Sequence, residues 1–304
     1  MSFVVTKLMG GLGNQMFQYA AGRSLALRLD VPLKIDLSWF TFSAWGRLAS
    51  LMFSDTARSY MLDEFPNIHT SVSTKQEIER FYTRRGLFDR LLLRTGKYRE
   101  SYISEPHHSY WKGFEQLAAP ACLFGYWQNE QYFKAIADTI RRDFTFPQLF
   151  SGAAEETAGR IRTSCNAVAV HIRRGDYVSN PRINKFHGLC SPEYYSCALK
   201  TVVKHINAMP ELFLFTDDPI WVQEHFDTKG MSATVINFPN HTASPCHDMH
   251  LMSLCKHHII ANSSFSWWGA WLANKSGIVC APKKWFAAHE HEISGIPAPG
   301  WVVL

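Results

Sequence analysis

The sequence predicts an α/β protein built from two domains, each with a parallel sheet. A strand, a glycine turn, a helix and a second strand follow one another over residues 3–35. This order is a βαβ unit, which produces parallel sheet. From residue 167 onwards strands and helices alternate regularly. The chain has 304 residues, which suits about two domains of ordinary size.

The first 150 residues begin with a clear pattern that later becomes mixed. Apolar residues over 15–29 fit one broad helix face. Residues 40–120 are aromatic and helix-leaning, without clear periodicity. The elements expected here are a strand over 3–8, a turn at 10–13, a helix over 15–29, and strands over 31–35 and 122–127, with a helix over 131–142.

The second half alternates more regularly. Ser191 is a good helix cap and Pro192 suits the first helical position, and Asp218-Pro219 marks another helix start. Residues 143–157 have the composition of a boundary, so we expect domains at 1–150 and 151–304. The expected strands are 167–172, 212–216, 234–238, 258–261 and 277–281, and the expected helices are 192–208, 248–255 and 266–274.

The composition excludes several classes of protein. No apolar stretch is long enough to span a membrane, and the start does not read as a signal peptide. We therefore expect a cytoplasmic protein whose seven cysteines are reduced thiols.

The net charge of +5 comes from one place. The stretch Arg80–Arg99 with its next residue, Glu100, holds seven basic and two acidic residues, and apolar side chains lie between them. The stretch could contact anionic lipid at the inner membrane, or it could be a packed helix with solvated arginines. It contains no nucleic-acid recognition motif, so we expect no nucleic-acid partner.

A first candidate loop, residues 9–15 (MGGLGNQ), follows the first strand. Open parallel sheets bind ligands at the carboxyl ends of their strands. Glycines allow close backbone approach, and the following helix offers N–H groups to an anion. The loop lacks the Lys and Ser/Thr of a P-loop and the third glycine of G-x-G-x-x-G. The alternative is a turn that serves only helix–strand packing.

A second candidate loop, residues 171–177 (HIRRGDY), follows a predicted buried strand. Adjacent arginines, Arg173 and Arg174, are costly there unless a negative group meets them. Arginine's planar fork suits phosphate oxygens, and Asp176 could hold one guanidinium in place. The alternative is a surface ion pair.

A third candidate region combines Asp248 with the segment around residues 261–269. Ser263, Ser264 and Ser266 lie where a strand gives way to a helix, so hydroxyl and N–H groups could together receive an anion. A carboxylate that accepts two N–H donors can read guanine, which is one possibility for Asp248. The other is a charge that merely favours a helix N-terminus.

A metal site is not expected. Several potential ligands cluster in the sequence, but they match no zinc spacing, and the chain contains no Asp-x-Asp pair. The three loops therefore predict a diphosphate cradle of arginine, hydroxyl and backbone groups without a cation or another cofactor. The clustered residues are Cys246, His247, His250, Cys255, His257 and His258.

Four sequence motifs resemble those of a known family. They lie between residues 8 and 272, in the same order as in that family. They are GGLGNQMFQYAAGRSLA, HIRRGDYV, FTDDPIWV and HDMHLMSLCKHHIIANSSFSWWGAWL. The chain resembles the α-1,2-fucosyltransferases of glycosyltransferase family 11, in their bacterial form. The resemblance implies a GT-B-type fold, with two Rossmann-type domains that face each other across a cleft. The first would lie on the acceptor side and the second would bind GDP-fucose.

The resemblance also implies roles for individual residues of the second domain. Arg173 matches the arginine that grips the β-phosphate, and Arg174 is its neighbour on the same diphosphate. His171 and Asp176 match flanking donor-site positions. The remaining matches are Asp248 for guanine and Ser263, Ser264 and Ser266 for phosphate.

Two further motifs carry a resemblance. Gly11, Gly13 and Asn14 lie in a loop that resembles the first-domain loop of protein O-fucosyltransferases, whose asparagine approaches the donor across the cleft, so Asn14 is expected to be catalytic together with Arg173. Asp217 and Asp218 match a shared motif with a structural or ribose-facing role.

The implied reaction is an inverting, metal-independent transfer of L-fucose from GDP-β-L-fucose to the 2-hydroxyl of a terminal β-galactoside. Its expected setting is surface glycan synthesis of the O-antigen type, with an acceptor that could be lipid-linked. Glu193, His187 and Asp36 are possible general bases by loop position, and the sequence singles out none of them. The alternatives are a noncatalytic GDP-sugar-binding module and a GDP-sugar transferase of another sugar or linkage.

Overall fold

The computed structural model describes residues 2–41, 59–82, 102–147, 150–175, 178, 181–238, 244–287 and 295–304. The chain divides into two compact units, Met1–Thr145 and Phe146–Leu304. Each unit contains one sheet, and every strand pairing described is parallel. The predicted α/β class with two parallel-sheet units is confirmed.

The first unit is built on a five-stranded sheet of order β3-β2-β1-β5-β4. Its strands are β1 (Val4–Lys7), β2 (Leu33–Asp36), β3 (Ser71–Val72), β4 (Tyr102–Ser104) and β5 (Ala121–Phe124). Its α-helices are α1 (Leu12–Arg28), α2 (Ser38–Thr41), α3 (Lys75–Tyr82) and α4 (Ala137–Asp143).

The predicted βαβ beginning of the first unit is confirmed. β1 runs through the core, and the buried hydroxyl of Thr6 donates a hydrogen bond of 3.0 Å to the carbonyl of Gln18 on α1. This bond ties the helix to the strand beneath it. β3 and β4 were not predicted, because strands of two or three residues are too short to show a period.

The predicted single helix over 131–142 is wrong. The chain forms short 3₁₀ helices at Glu130–Tyr132 and Lys134–Ile136 before α4 begins at Ala137. Buried Phe133 separates the two turns with a φ of −134°, which is incompatible with a continuous helix.

The second unit is built on a six-stranded sheet of order β11-β10-β9-β6-β7-β8. Its strands are β6 (Ala167–Ile172), β7 (Glu211–Thr216), β8 (Ala233–Ile236), β9 (His257–Ile259), β10 (Val279–Ala281) and β11 (Val302–Val303). Its helices are α5 (Ala153–Thr163), α6 (Pro181–His187), α7 (Pro192–Ile206), α8 (Pro219–His225), α9 (Pro245–Leu254) and α10 (Ser264–Ala273).

The second unit follows the predicted alternation closely. All six residues of the central strand β6 are buried. The hydroxyl of Ser191 accepts a hydrogen bond from the Tyr194 N–H, which begins α7 as predicted. α9 begins three residues earlier than predicted, at Pro245, because Ser244 caps it.

The basic stretch Arg80–Arg99 is described only at its beginning. Most of the basic stretch lies outside the described residues, which resume at residue 102 after Tyr82. Among the residues that are described, no helix is long and apolar enough to cross a membrane.

Candidate functional site

The two arginines of the second loop are held by two aspartates that follow the neighbouring strand. β6 and β7 pair in register, with Ile172 opposite Thr216, so the loops that follow them emerge side by side. Arg173 Nη1 lies 2.7 Å from Asp217 Oδ2. Arg174 Nε lies 3.1 Å from Asp218 Oδ2.

Asp217 also fixes the backbone of the loop. Its Oδ1 accepts a hydrogen bond of 2.8 Å from the N–H of Arg174. A Cβ placed on Gly175 would lie 2.5 Å from Asp217 Oδ2, so a glycine is needed there for this approach. The guanidinium of Arg174 stacks over the ring of Trp221, with its carbon 3.6 Å from the ring centroid. Both arginine side chains are therefore preorganised.

These contacts revise the reasoning on the arginines. The negative groups that compensate adjacent cations at the end of a buried strand are Asp217 and Asp218, which belong to the protein itself. The sequence analysis assigned this task to phosphate oxygens, with Asp176 holding one guanidinium in place, and Asp176 lies outside the described residues. The argument for an anionic ligand therefore rests on the fixed orientation of the guanidiniums and not on an unpaired charge.

His171, near the end of β6, is a buried neutral imidazole. Its pKa is lowered from 6.5 to about 4, chiefly by burial; the charge of Asp217 opposes this shift and the charge of Arg173 adds to it. Its Nδ1 is buried and has no hydrogen-bond partner among the described residues. Its ring lies 5.6 Å from the ring of Phe265, which brings the third loop beside the second. The predicted donor-site position is therefore an uncharged group that can still form one hydrogen bond.

The third loop is secured by a residue that the sequence reasoning missed. Asn262 is buried, and its Nδ2 donates to the carbonyls of His187, Gly188 and Trp285 at 2.9, 3.2 and 3.2 Å. The available signal was an asparagine directly after a strand, a position where side-chain amides often satisfy turns.

The serines of this loop differ in exposure. Ser263 precedes α10 and Ser264 begins it, and both are partly exposed. The hydroxyl of Ser266 is fully buried and directed at the carbonyls of Ala261 and Ser263, 3.5 and 3.3 Å away. We therefore assign Ser266 a structural role and keep Ser263 and Ser264 as predicted phosphate contacts.

Asp248 lies in the first turn of α9 and is partly exposed. That position fits a favourable charge at the helix N-terminus. The guanine-binding role of Asp248 stays a prediction.

The glycine loop of the first unit needs a glycine at one position above all. Gly10 has a φ of +77°, in the left-handed region that favours glycine. Gly11 caps α1 with an ordinary φ of −78°, and a Cβ there would meet no atom of the described residues within 4 Å. Gly13 is buried within α1. Open space above Gly11 is what close approach of a ligand would require.

Asn14 lies in the first turn of α1. Its N–H donates to the carbonyl of Gly11 at 3.0 Å. Its side-chain Oδ1 accepts a hydrogen bond of 2.8 Å from Gln128 Nε2. The predicted catalytic asparagine is thus held by a residue 114 positions away.

None of the three candidate bases stands out. Asp36 is fully buried, and its Oδ1 accepts from the Ser38 N–H at 2.8 Å. Glu193 is exposed in the first turn of α7, where a hydrogen bond with the Ser191 side chain lowers its pKa. His187 packs against aromatic rings at the end of α6. The general base stays unassigned.

Two of the clustered histidines contact the backbone through their ring nitrogens. His257 Nδ1 accepts from the Ile278 N–H at 3.1 Å, and His258 Nε2 lies 3.0 Å from the Met252 carbonyl. Within the described ranges, no three His, Cys, Asp or Glu side chains are grouped so that they could hold a metal ion. These histidines therefore belong to the packing of the sheet.

The fold and the arginine site together agree with one class of protein. Two Rossmann-type parallel-sheet units follow one another in the chain, and one carries a fixed arginine pair at the carboxyl edge of its sheet. These are features of a GT-B-like glycosyltransferase.

Comparison with known proteins identifies the family. The family model of Glycosyl transferase family 11 matches residues 109–304. The chain is 36% identical to the Alpha-1,2-colitosyltransferase of Escherichia coli, with 95% of this chain and 94% of that protein covered. The chain therefore belongs to glycosyltransferase family 11, and the resemblance is confirmed.

Two further relatives have informative names. The O-antigen biosynthesis glycosyltransferase WbnK of Escherichia coli is 30% identical, with 98% of this chain and 99% of that protein covered. Galactoside alpha-(1,2)-fucosyltransferase 1 of Homo sapiens is 26% identical over 168 residues, 52% of this chain and 45% of that protein.

Proposed function

We propose that this protein transfers L-fucose from GDP-β-L-fucose to the 2-hydroxyl of a terminal β-galactoside, with inversion and without a metal ion. The proposed setting is the synthesis of a surface glycan of the O-antigen type. Two relatives support this proposal by name, since one acts in O-antigen biosynthesis and the other is a galactoside α-(1,2)-fucosyltransferase.

The observation that carries the proposal is the preorganised arginine pair. When the bond between fucose and phosphate breaks, negative charge grows on the β-phosphate. Guanidiniums that are already fixed stabilise that charge more in the transition state than in the ground state. Asp217, Asp218 and Trp221 supply the fixation.

The remaining predicted donor contacts complete the proposal. His171 is proposed as a neutral donor-site residue, Ser263 and Ser264 as hydroxyl contacts of the phosphate, and Asp248 as the carboxylate that binds guanine. Asn14 is proposed to donate a hydrogen bond to the donor at the bond that breaks. Contact of the stretch Arg80–Arg99 with a membrane that carries a lipid-linked acceptor belongs to the same proposal.

A second candidate differs in the donor sugar. The 36% identity to an Alpha-1,2-colitosyltransferase over nearly the full chain supports colitose in place of fucose. Colitose lacks one hydroxyl of fucose, and a site built to bind that hydroxyl would reject its absence strongly. The two donors can therefore be separated by rate.

The test is a transfer assay in the presence of a chelator. The purified protein receives GDP-fucose or GDP-colitose with a panel of β-galactosides, and GDP release and product linkage are measured. We expect an α-1,2-fucosylated product at a rate that added magnesium does not change.

Each other outcome contradicts a part of the proposal. A faster reaction with GDP-colitose would reassign the donor. A rate that depends on magnesium would contradict metal independence. Binding of GDP-fucose without release of GDP would favour the noncatalytic GDP-sugar-binding module.

A further inference from the structure

The side-chain amide of Asn14 is held through its oxygen. Gln128 Nε2 donates to Asn14 Oδ1 at 2.8 Å, so the amide oxygen points towards Gln128 and the nitrogen points away from it. The nitrogen lies over Gly10, where an added Cβ would come within 2.7 Å of Nδ2. The absence of a side chain at Gly10 therefore makes room for this orientation.

Gln128 is itself carried by a rigid loop. The Glu105 carboxylate accepts hydrogen bonds from the N–H groups of Tyr126 and Trp127, at 2.7 and 3.0 Å. Gln18 Nε2 donates to the carbonyl of Gly125 at 3.1 Å. Three hydrogen bonds thus fix the three residues that precede Gln128.

The loop also has an unfavourable backbone conformation that these bonds sustain. Trp127 has a φ of +56°, although it is not a glycine, and its side chain is fully buried. Such a conformation costs about 1–3 kcal/mol and persists where its surroundings determine it. Local strain of this kind is concentrated at functional sites.

We propose that Gln128 is a positioning residue that orients the Asn14 amide so that its N–H groups, and not its oxygen, are presented to the donor. This inference rests on the proposed function. An N–H donor stabilises the oxygen that gains negative charge as the sugar leaves. A reversed amide would present its oxygen to that charge and would repel it.

The sharpest test compares two substitutions of Gln128. Gln128→Glu replaces the donating amide by an accepting carboxylate, so the Asn14 amide must turn over to form a hydrogen bond. Gln128→Met keeps the length of the side chain and only removes the hydrogen bond. Gln131→Glu, at an exposed position three residues later, is the matched control for the added charge.

We expect Gln128→Glu to lower kcat by about 10²-fold, the cost of losing one preorganised donor. Gln128→Met should lower kcat by less than Gln128→Glu, since in that variant the Asn14 amide is released but not reversed. KM for the acceptor and the thermal unfolding midpoint should stay close to those of Gln131→Glu. In an Asn14→Ala background, Gln128→Glu should have no further effect on kcat.

Two kinetic results would overturn the inference. One is an unchanged kcat in Gln128→Glu, and the other is an equal loss with and without Asn14. The side-chain amide resonance of Asn14, assigned by its disappearance in Asn14→Ala, gives a readout besides activity. It should shift in Gln128→Glu and not in Gln131→Glu, and the lack of a shift would contradict the inference. If the wild-type protein forms no fucosylated product, the proposed function fails independently of this resonance.

Discussion

Arg173 and Arg174 are held differently, and the difference determines how each should respond to substitution. Arg173 has an ion pair through one terminal nitrogen. Arg174 is bound through Nε, stacks on Trp221 and has its backbone N–H held by Asp217. We propose Arg173 as the contact of the β-phosphate, so we expect its substitution to affect the transfer most.

Arg173→Ala should lower kcat/KM with GDP-fucose by about 10²–10³-fold, since it removes a fixed charge at the leaving phosphate. Arg173→Lys should also have a low kcat/KM, because an ammonium cannot form the two-pronged contact of a guanidinium with a phosphate. Steady-state kinetics checks both variants. Arg160→Ala is the control, since Arg160 forms a surface pair with Glu211. Near wild-type turnover of Arg173→Ala would show that the arginine was assigned wrongly.

At the scale of the element, Asp218 links a helix to the site. Its Oδ1 accepts from the Trp221 N–H at 3.3 Å and so caps α8, whereas its Oδ2 binds Arg174. One carboxylate thus begins a helix and fixes an arginine. The two contributions can be separated by the choice of substitution.

Asp218→Ser should preserve the cap and lose the ion pair, because serine is a good N-cap residue. We expect its unfolding free energy to stay close to wild type while kcat/KM falls. Asp218→Ala should lose both, with a further destabilisation of about 1 kcal/mol. Chemical denaturation and kinetics on the same samples measure the two effects. An active Asp218→Ser variant would mean that Arg174 needs no partner.

At the scale of the whole molecule, burial of histidine makes stability depend on pH. Burial lowers the pKa of His171, His250, His257 and His258 from 6.5 to about 4. As the pH falls below 6.5, the unfolded chain takes up protons that the folded chain refuses. The folded state is therefore favoured fully above pH 6.5 and loses this advantage as the pH falls towards 4.

We expect the unfolding free energy to decrease between pH 6.5 and 4, by up to about 3 kcal/mol for each fully buried histidine. Urea denaturation at several pH values measures the slope. A flat profile over this range would show that these histidines take up protons over the same pH range in the folded and unfolded states.

Much of the fold was predictable because it is local. The βαβ beginning, the capped start of α7 and the buried strand β6 all follow from periodicity and capping within a few residues. The strands β3, β4 and β11 and the broken helix after Asn129 were not predicted. The strands are too short to show a period. The break in the helix depends on which side chains are buried in the core.

The sequence by itself determined the α/β class, the family, and the loops that carry Arg173 and Asn14, since glycine turns, paired arginines and strand patterns are written in consecutive residues. Only the tertiary structure decided which partners hold those residues. The register of β6 on β7 places Asp217 and Asp218 beside the arginines. The fold of the first unit brings Gln128 to Asn14. Both results depend on strand pairing between distant segments, which follows from burial of the whole sheet and not from any local pattern.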